Sequence, residues 1–173
     1  MKYLLASLVA GLLAVLQVSM VPYVEVLGVT PDFVLIFAAS WAVVRGQEEA
    51  AIVVPVAGFL RDLATSDPLG TSVLALAPVA LFAAATRLRA IDTQFLPTVL
   101  VVASGSLAYG IISMTVLAIT GQTVVLQDAA LRVLLPACLV NALFTPLVYL
   151  PVHAFRPQHQ TGPIGTRRLT SPL

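Results

Sequence analysis

Two apolar runs joined by a charged connection, within the stretch Val56–Leu76, constrain the fold of this chain more than any other feature. The first run ends at Arg61 and Asp62, although ionisable residues are rare in apolar sequence of this kind. Asp67 and then Pro68-Leu69-Gly70 open the second run, and a proline directly after an acidic residue is typical of a helix start. The stretch therefore predicts a helical hairpin whose charged turn lies at one membrane face, with the other segments packed around it.

The two adjacent charges of this hairpin are predicted to have different surroundings, because neighbouring residues of a helix point about 100° apart. We expect Arg61 to extend outward towards the membrane surface. Asp62 is expected to turn inward, where its carboxylate either caps the hairpin or accepts a hydrogen bond from a neighbouring helix. Pro68 is expected to begin the second helix, and Gly70 to allow a neighbouring helix to approach closely. A partner-binding role and a proton-relay role for the two charges are the alternatives to this structural role.

The composition requires a membrane environment. Hydrophobic residues make up 59% of the 173 residues and charged residues 10%, and the mean hydropathy is +0.99. A soluble domain carries about 25% charged residues, so this composition cannot cover a water-soluble surface. The net charge of +1, without a basic run interleaved with aromatics, gives no indication of nucleic-acid binding. We therefore predict an all-α membrane protein.

Six apolar segments predict a bundle of six transmembrane helices over 1–155, followed by a polar tail over 156–173 that we expect to be disordered. The second segment is short. At about 1.5 Å per residue it covers roughly 20 Å of a hydrocarbon core of roughly 30 Å, so a re-entrant segment is the alternative there. The predicted segments are 3–21, 33–44, 50–64, 68–86, 95–119 and 129–152.

Residues at the two ends of the second segment match helix-boundary signals. Thr30 is predicted as the N-cap, with Pro31 at the first helical position and Asp32 near the positive end of the helix dipole. At the other end, Gly46 suits the position after the last helical residue, and Arg45 lies beside the negative end of the dipole. These residues predict tight connections on both sides of a short helix.

The distribution of basic residues predicts the orientation. With six crossings and a cytoplasmic N-terminus, only Arg61 and Arg132 lie near the outer face. Because cytoplasmic connections carry the excess of lysine and arginine, this arrangement is preferred and both termini are expected in the cytoplasm. The basic residues then on the cytoplasmic side are Lys2, Arg45, Arg87, Arg89, Arg156, Arg167 and Arg168.

Three alanines of the first segment, Ala6, Ala10 and Ala14, recur every four residues and therefore share one helix face. Small residues at this spacing let another helix approach closely. The face is predicted either to pack inside this bundle or to receive the transmembrane helix of a partner.

Few residues of the sequence suggest a catalytic or metal-binding site. Glu48-Glu49 is similar to the E-E-x-x-x-R pattern of one class of intramembrane proteases, but Val53 stands at the arginine position and the early helices hold no histidine. Without metal ligands or a positioned base, a water-activating site is not expected. We predict no enzymatic activity, cofactor or metal. Three side chains inside predicted helices are expected to pack or to form hydrogen bonds between helices: Gln17, Trp41 and Asn141.

Taken in order, four short motifs resemble the rod shape-determining protein MreD family of bacteria over nearly the full length, from Met1 to about Phe155. Arg61, within the third motif, departs from the apolar residue that is usual there. The motifs are Pro31-Asp32-Phe33-Val34-Leu35, Arg45-Gly46 with acids after it, Gly58-Phe59-Leu60-x-Asp62-Leu63, and Asp67-Pro68-Leu69-Gly70.

The resemblance implies a multi-pass protein of the bacterial cytoplasmic (inner) membrane that works in the elongation machinery. Its expected direct partner is the transmembrane helix of MreC. The polymerase RodA, a class B penicillin-binding protein and the filament protein MreB are expected as indirect partners, and membrane lipid as the surrounding medium. The resemblance also implies a fold similar to the substrate-binding subunits of energy-coupling-factor transporters.

The expected function is therefore a non-catalytic scaffold that helps regulate peptidoglycan synthesis and cell shape. The alternative is a small-molecule-binding subunit of a membrane transporter, because that class uses a similar alanine pattern to contact its energising partner. Such a subunit would need a polar cavity. The polar side chains available on the outer side of the last three segments are Ser72, Ser106, Tyr109, Asn141 and Tyr149.

Overall fold

A computed structural model describes residues 2–19, 23–65, 68–87, 94–120 and 133–155 of the chain. Within these ranges the protein is all-α, as predicted, and no β-sheet is present. The described residues form six helices: α1 Lys2–Ser19, α2 Phe33–Arg45, α3 Gln47–Ala64, α4 Thr71–Arg87, α5 Phe95–Ile119 and α6 Leu135–Ala154.

The short helix α2 is the central element of the bundle. It packs against all five other described helices, and each residue from Val34 to Val44 is buried. A helix that is apolar all round can be buried on every side, and α2, the shortest of the described helices, takes this central position. The hairpin of Val56–Leu76 was predicted to be the element around which the other segments pack. That prediction was wrong, because the central element is α2. The hairpin itself is present, because α3 and α4 pack closely along their lengths.

The remaining helices form an open ring around α2. Close packing joins α1 to α3, α3 to α4, α4 to α5 and α5 to α6, whereas α1 and α6 do not pack closely against each other. Among the described helices, the ring is therefore open between its first and last members, and the central helix forms the floor of that opening.

Two of the described helices are long and apolar enough to cross a membrane by themselves, over Phe95–Val116 and Leu135–Ala154. Three shorter apolar helices cover Tyr3–Ser19, Phe33–Arg45 and Thr71–Thr86. The shortness of α2 is explained by its position. A helix enclosed by other helices does not have to match the thickness of the hydrocarbon core.

The predicted starts of two helices need correction. Helix α2 begins at Phe33, and its N-cap is Asp32 rather than Thr30, because the Asp32 carboxylate accepts a hydrogen bond of 3.0 Å from the amide of Leu35. Helix α4 begins at Thr71 rather than Pro68, which lies in the preceding turn with Gly70. In both cases the proline precedes the helix without occupying its first position.

The glycine that allows close helix approach is Gly58, not Gly70. A Cβ atom on Gly58 would lie 2.8 Å from the Cα of Val73, so α3 and α4 touch there through their backbones. A Cβ on Gly70 would meet nothing within 4 Å, but its φ of +96° belongs to the left-handed region that favours glycine. Gly70 therefore makes the turn before α4, and the packing role predicted for it belongs to Gly58.

Several predictions concern residues outside the described ranges. Among the predicted site residues this applies to Asp67. It also applies to Arg89 and Arg132, to the start of the sixth segment before residue 133, and to the tail over 156–173. Within the described part, Gly46 ends α2 and begins α3 with a φ of +109°, as expected for a glycine between two helices.

Candidate functional site

Polar side chains from five helices meet inside one end of the bundle and form a network of hydrogen bonds, one salt bridge and one cation–π contact. Asp32 lies at the start of α2 and Arg61 near the end of α3. Ser72 lies at the start of α4, and Tyr109 and Asn141 lie within α5 and α6. Buried polar groups in a membrane protein are stable only when they are paired, so the contacts of each member decide what the network can do.

The charged pair of the network joins α2 to α3. The Arg61 guanidinium forms a salt bridge with the Asp32 carboxylate, and the exposed fractions of the two side chains are only 14% and 12%. The prediction that Arg61 extends outward was therefore wrong. The physical reason is that Asp32 supplies an opposite charge inside the bundle, so an inward guanidinium finds a partner there.

The same arginine also contacts an aromatic ring. Its guanidinium carbon lies 4.6 Å from the ring centroid of Tyr109, which is a favourable cation–π distance. The Tyr109 hydroxyl is 3.1 Å from the hydroxyl of Ser72, and this contact continues the network from α5 to α4. The Arg61 guanidinium is thus in contact with α2 through Asp32 and with α5 through Tyr109.

Asn141 connects α6 to two other helices. Its Oδ1 accepts a hydrogen bond of 2.7 Å from the backbone amide of Asp32, and its Nδ2 donates one of 2.9 Å to Ser106 Oγ. On the α1 side, Gln17 makes a similar bridge. Its Nε2 donates to the carbonyl of Pro31 at 2.9 Å, and its Oε1 accepts from the amide of Phe33 at 3.0 Å. The hydrogen bonds between helices that were predicted for Asn141 and Gln17 are therefore present.

The second acid of the hairpin caps α4 from a neighbouring helix. Asp62 is 1% exposed, and its carboxylate accepts hydrogen bonds from the amide of Gly70 at 2.7 Å and of Ser72 at 2.9 Å. The amide of Gly70 lies directly before α4 and that of Ser72 within its first turn, where backbone donors have no partner in the helix itself. The inward direction expected for Asp62 agrees with this geometry.

The alanine face of α1 lies inside the bundle. Ala6 and Ala10 are completely buried and Ala14 is 1% exposed, and α1 packs mainly against α3. Of the two predicted uses of this face, internal packing is therefore the one present, and the face is not accessible to the helix of a partner. The same alanine face had suggested the alternative of a transporter subunit, and its burial removes that support.

Arg45 lies at the opposite end of α2 from Asp32. Its Nη2 donates a hydrogen bond of 2.7 Å to the carbonyl of Phe155, directly after α6. Its guanidinium carbon lies 4.9 Å from the ring centroid of Trp41. The ends of α2 and α6 therefore lie at the same end of the bundle, beside the opening between α1 and α6.

The polar side chains of the network contact one another across helices. Within the ranges that the structure describes, no group of His, Cys, Asp and Glu side chains could hold a metal ion. Ser72 bonds to Tyr109, and Ser106 bonds to Asn141, so the polar side chains that a transporter cavity would need are paired with one another. A network of this kind fixes the relative positions of the helices.

An all-α membrane bundle with a buried polar network is the class of protein that the fold and the site define. The sequence model of the family described as rod shape-determining protein MreD matches residues 1–157. The chain therefore belongs to the MreD family, which supports a role in rod shape determination and is not a known family of enzymes. Comparison with curated proteins and with solved structures gave no match.

Proposed function

We propose that the chain is a non-catalytic, multi-pass scaffold of the bacterial inner membrane that binds the transmembrane helix of MreC. Through MreC it would act on the peptidoglycan synthase of the elongation machinery, and RodA, the class B penicillin-binding protein and MreB would be indirect partners. The family match over residues 1–157 is the observation that carries this proposal.

The distribution of surface residues supports docking within the bilayer. Every helix of the ring has large apolar side chains on its outer surface, as Leu8, Phe59, Leu81, Leu100 and Leu143 illustrate. The polar groups of the network are directed inward and are paired. A partner can therefore recognise this molecule through the packing of apolar helix surfaces, which is how transmembrane helices associate.

We further propose that all six helices are membrane-embedded, with α2 enclosed by the others and both termini in the cytoplasm. The apolar lengths of α5 and α6 support this proposal, as does the excess of basic residues on one side of the predicted topology. The likeness to substrate-binding subunits of energy-coupling-factor transporters stays a prediction, since no solved structure matched the chain.

Co-purification with MreC from the same organism tests the proposed function. The tagged chain is co-expressed with MreC, extracted in mild detergent and captured, and an unrelated single-span protein serves as the control. We expect a stoichiometric complex that is lost when the MreC transmembrane helix is replaced by an unrelated one. If the chain is folded and monodisperse but MreC does not bind, the scaffold proposal is wrong.

A further inference from the structure

The opening between α1 and α6 leads into an apolar groove of about 470 Å³. Its floor is a stripe of side chains spaced four residues apart along α2: Phe33, Phe37, Trp41 and Arg45. The α1 wall includes Val9, and the α6 wall includes Leu147 and Pro151. The groove therefore follows the central helix and ends at a cation.

Two hydrogen-bond donors at the Arg45 end of the groove have no acceptor. Trp41 is 4% exposed, and its Nε1 is buried without a hydrogen-bond partner. The Nε of Arg45 is likewise buried and unpartnered. No carboxylate is present among the described residues that line the groove. Because an unsatisfied buried donor is costly, the two groups together suit an oxygen-rich, negatively charged ligand.

The lining of the groove favours an extended apolar occupant that carries a charged group at one end. Phe33 to Arg45 spans roughly 18 Å along α2, and the side chains along this stripe are apolar until Arg45 is reached. A hydrocarbon chain joined to a negatively charged group matches this order, whereas the apolar surface of a transmembrane helix would leave the two buried donors without an acceptor.

We propose that this groove binds a membrane glycerophospholipid, with one acyl chain along the α2 stripe and the phosphate at Arg45 and Trp41. The position of Arg45 fits this assignment, because its bond to the Phe155 carbonyl places it where both α2 and α6 end. The lipid would close the ring of helices at its one opening. This inference does not depend on the binding of MreC.

The single tryptophan of the chain makes the proposal directly measurable, because Trp41 is the only source of tryptophan fluorescence and lies in the groove. Bromine atoms on an acyl chain quench tryptophan on contact. The purified full chain is titrated in detergent with phosphatidylglycerol or with diacylglycerol, both carrying the same brominated chains. We expect phosphatidylglycerol to quench Trp41 at about tenfold lower mole fraction, since a charge-assisted hydrogen bond contributes that much.

Two substitutions on α1 distinguish groove binding from contact with surrounding lipid. Val9→Phe places a larger side chain in the groove, whereas Val15→Phe makes the same change on the exposed face of the helix. Quenching should fall several-fold in V9F and stay unchanged in V15F. Arg45→Gln should abolish the preference for phosphatidylglycerol while leaving quenching by diacylglycerol intact.

Equal quenching by the two brominated lipids in the unmodified protein would overturn the proposal, and this comparison needs no variant to fold. Equal quenching in V9F and V15F would also overturn it. Inorganic phosphate alone should not change the Trp41 spectrum; if it does, the site binds free anions and not lipid. Loss of MreC binding in V9F with no change in lipid quenching would assign the groove to the partner helix instead.

Discussion

At the scale of single residues, the salt bridge between Arg61 and Asp32 determines how α2 and α3 meet. Both side chains are largely buried, and Asp32 also caps α2. Whatever the net contribution of such a pair, removing one partner leaves an uncompensated buried charge, which is strongly destabilising. The pair is therefore expected to show strong energetic coupling.

A double-mutant cycle measures this coupling. We expect Arg61→Met to lower the free energy of unfolding by about 3–5 kcal/mol, because it leaves the Asp32 carboxylate unpaired. Asp32→Asn keeps an oxygen for the Leu35 amide and removes the charge. The double variant should therefore be more stable than R61M alone. The free energies of unfolding in detergent are measured for the unmodified chain, R61M, D32N and the double variant. If the effects of the two substitutions on that free energy are strictly additive, the two side chains are not coupled.

Asp62 is expected to stabilise the folded protein through its hydrogen bonds to the start of α4. Asp62→Leu leaves the amides of Gly70 and Ser72 without their acceptor, and each buried unsatisfied donor costs about 1–3 kcal/mol. A marked fall in thermal stability should follow. Asp62→Asn retains one acceptor oxygen and should lose about half as much. If D62L melts at the temperature of the unmodified chain, the carboxylate does not stabilise the start of α4.

The inward direction of Asp62 could be predicted from the sequence, whereas the inward direction of Arg61 could not. Neighbouring helix residues point in different directions, so one of the two hairpin charges had to face inward, and Asp62 does. That Arg61 also faces inward depends on Asp32, which lies 29 residues away in the chain. Pairing between separate helices depends on their arrangement in space, and no local pattern contains it.

At the scale of helices, α3 and α4 approach each other closely, backbone to backbone, at Gly58. Gly58→Ala would place a methyl group 2.8 Å from Val73 Cα and 2.9 Å from Val73 N, and backbone atoms cannot rotate away. We expect a loss of about 1–3 kcal/mol, as is usual for overpacking. Thermal unfolding in detergent measures it.

Gly11→Ala is the matched control, because its methyl group would meet only Leu60 Cδ1, at 3.6 Å. Alanine is favoured over glycine within a helix by about 1 kcal/mol, so G11A should be as stable as the unmodified protein or more stable. If the two alanine variants behave alike, the backbone contact at Gly58 does not hold α3 and α4 together.

Helix positions along the chain were more predictable than the roles of the helices. The apolar run of α5 coincides with the predicted segment, since its polar boundaries are clear in the sequence. The central place of α2 was not predicted. Its composition, apolar on every side, is compatible both with burial by protein and with exposure to lipid, and only its short length distinguishes the two.

At the scale of the whole molecule, the network lies at the start of α2, whereas the groove runs along α2 and ends at Arg45. Asp32 at its start is tied to Arg61 and Asn141, whereas Arg45 at its end contacts Phe155 and Trp41. The first end is joined by hydrogen bonds to other helices, and the second lies beside the opening of the ring. The helices are therefore joined to one another by polar contacts at one end of the bundle, and the space between α1 and α6 is open near the other end.

Cysteine labelling tests this arrangement together with its orientation. The chain has one cysteine, so Cys138→Ala gives a background into which single cysteines are placed at exposed helix ends. Glu48→Cys and Phe155→Cys lie near the Arg45 end, and Leu69→Cys lies in the turn before α4, at the other end. A membrane-impermeant maleimide added to intact spheroplasts should label the residue 69 variant only, because the basic connections are expected in the cytoplasm.

The labelling pattern tests the arrangement of the helices and their orientation in the membrane separately. The hydrogen bond from Arg45 to the Phe155 carbonyl requires the cysteines at residues 48 and 155 to behave alike in either orientation. If both are labelled in intact spheroplasts and the residue 69 variant is not, the bundle is correct and its orientation is reversed. If residues 48 and 155 differ from each other, α2 and α6 do not end at the same membrane face, and the open ring around α2 is wrong. Labelling of all three after permeabilisation is the control for accessibility.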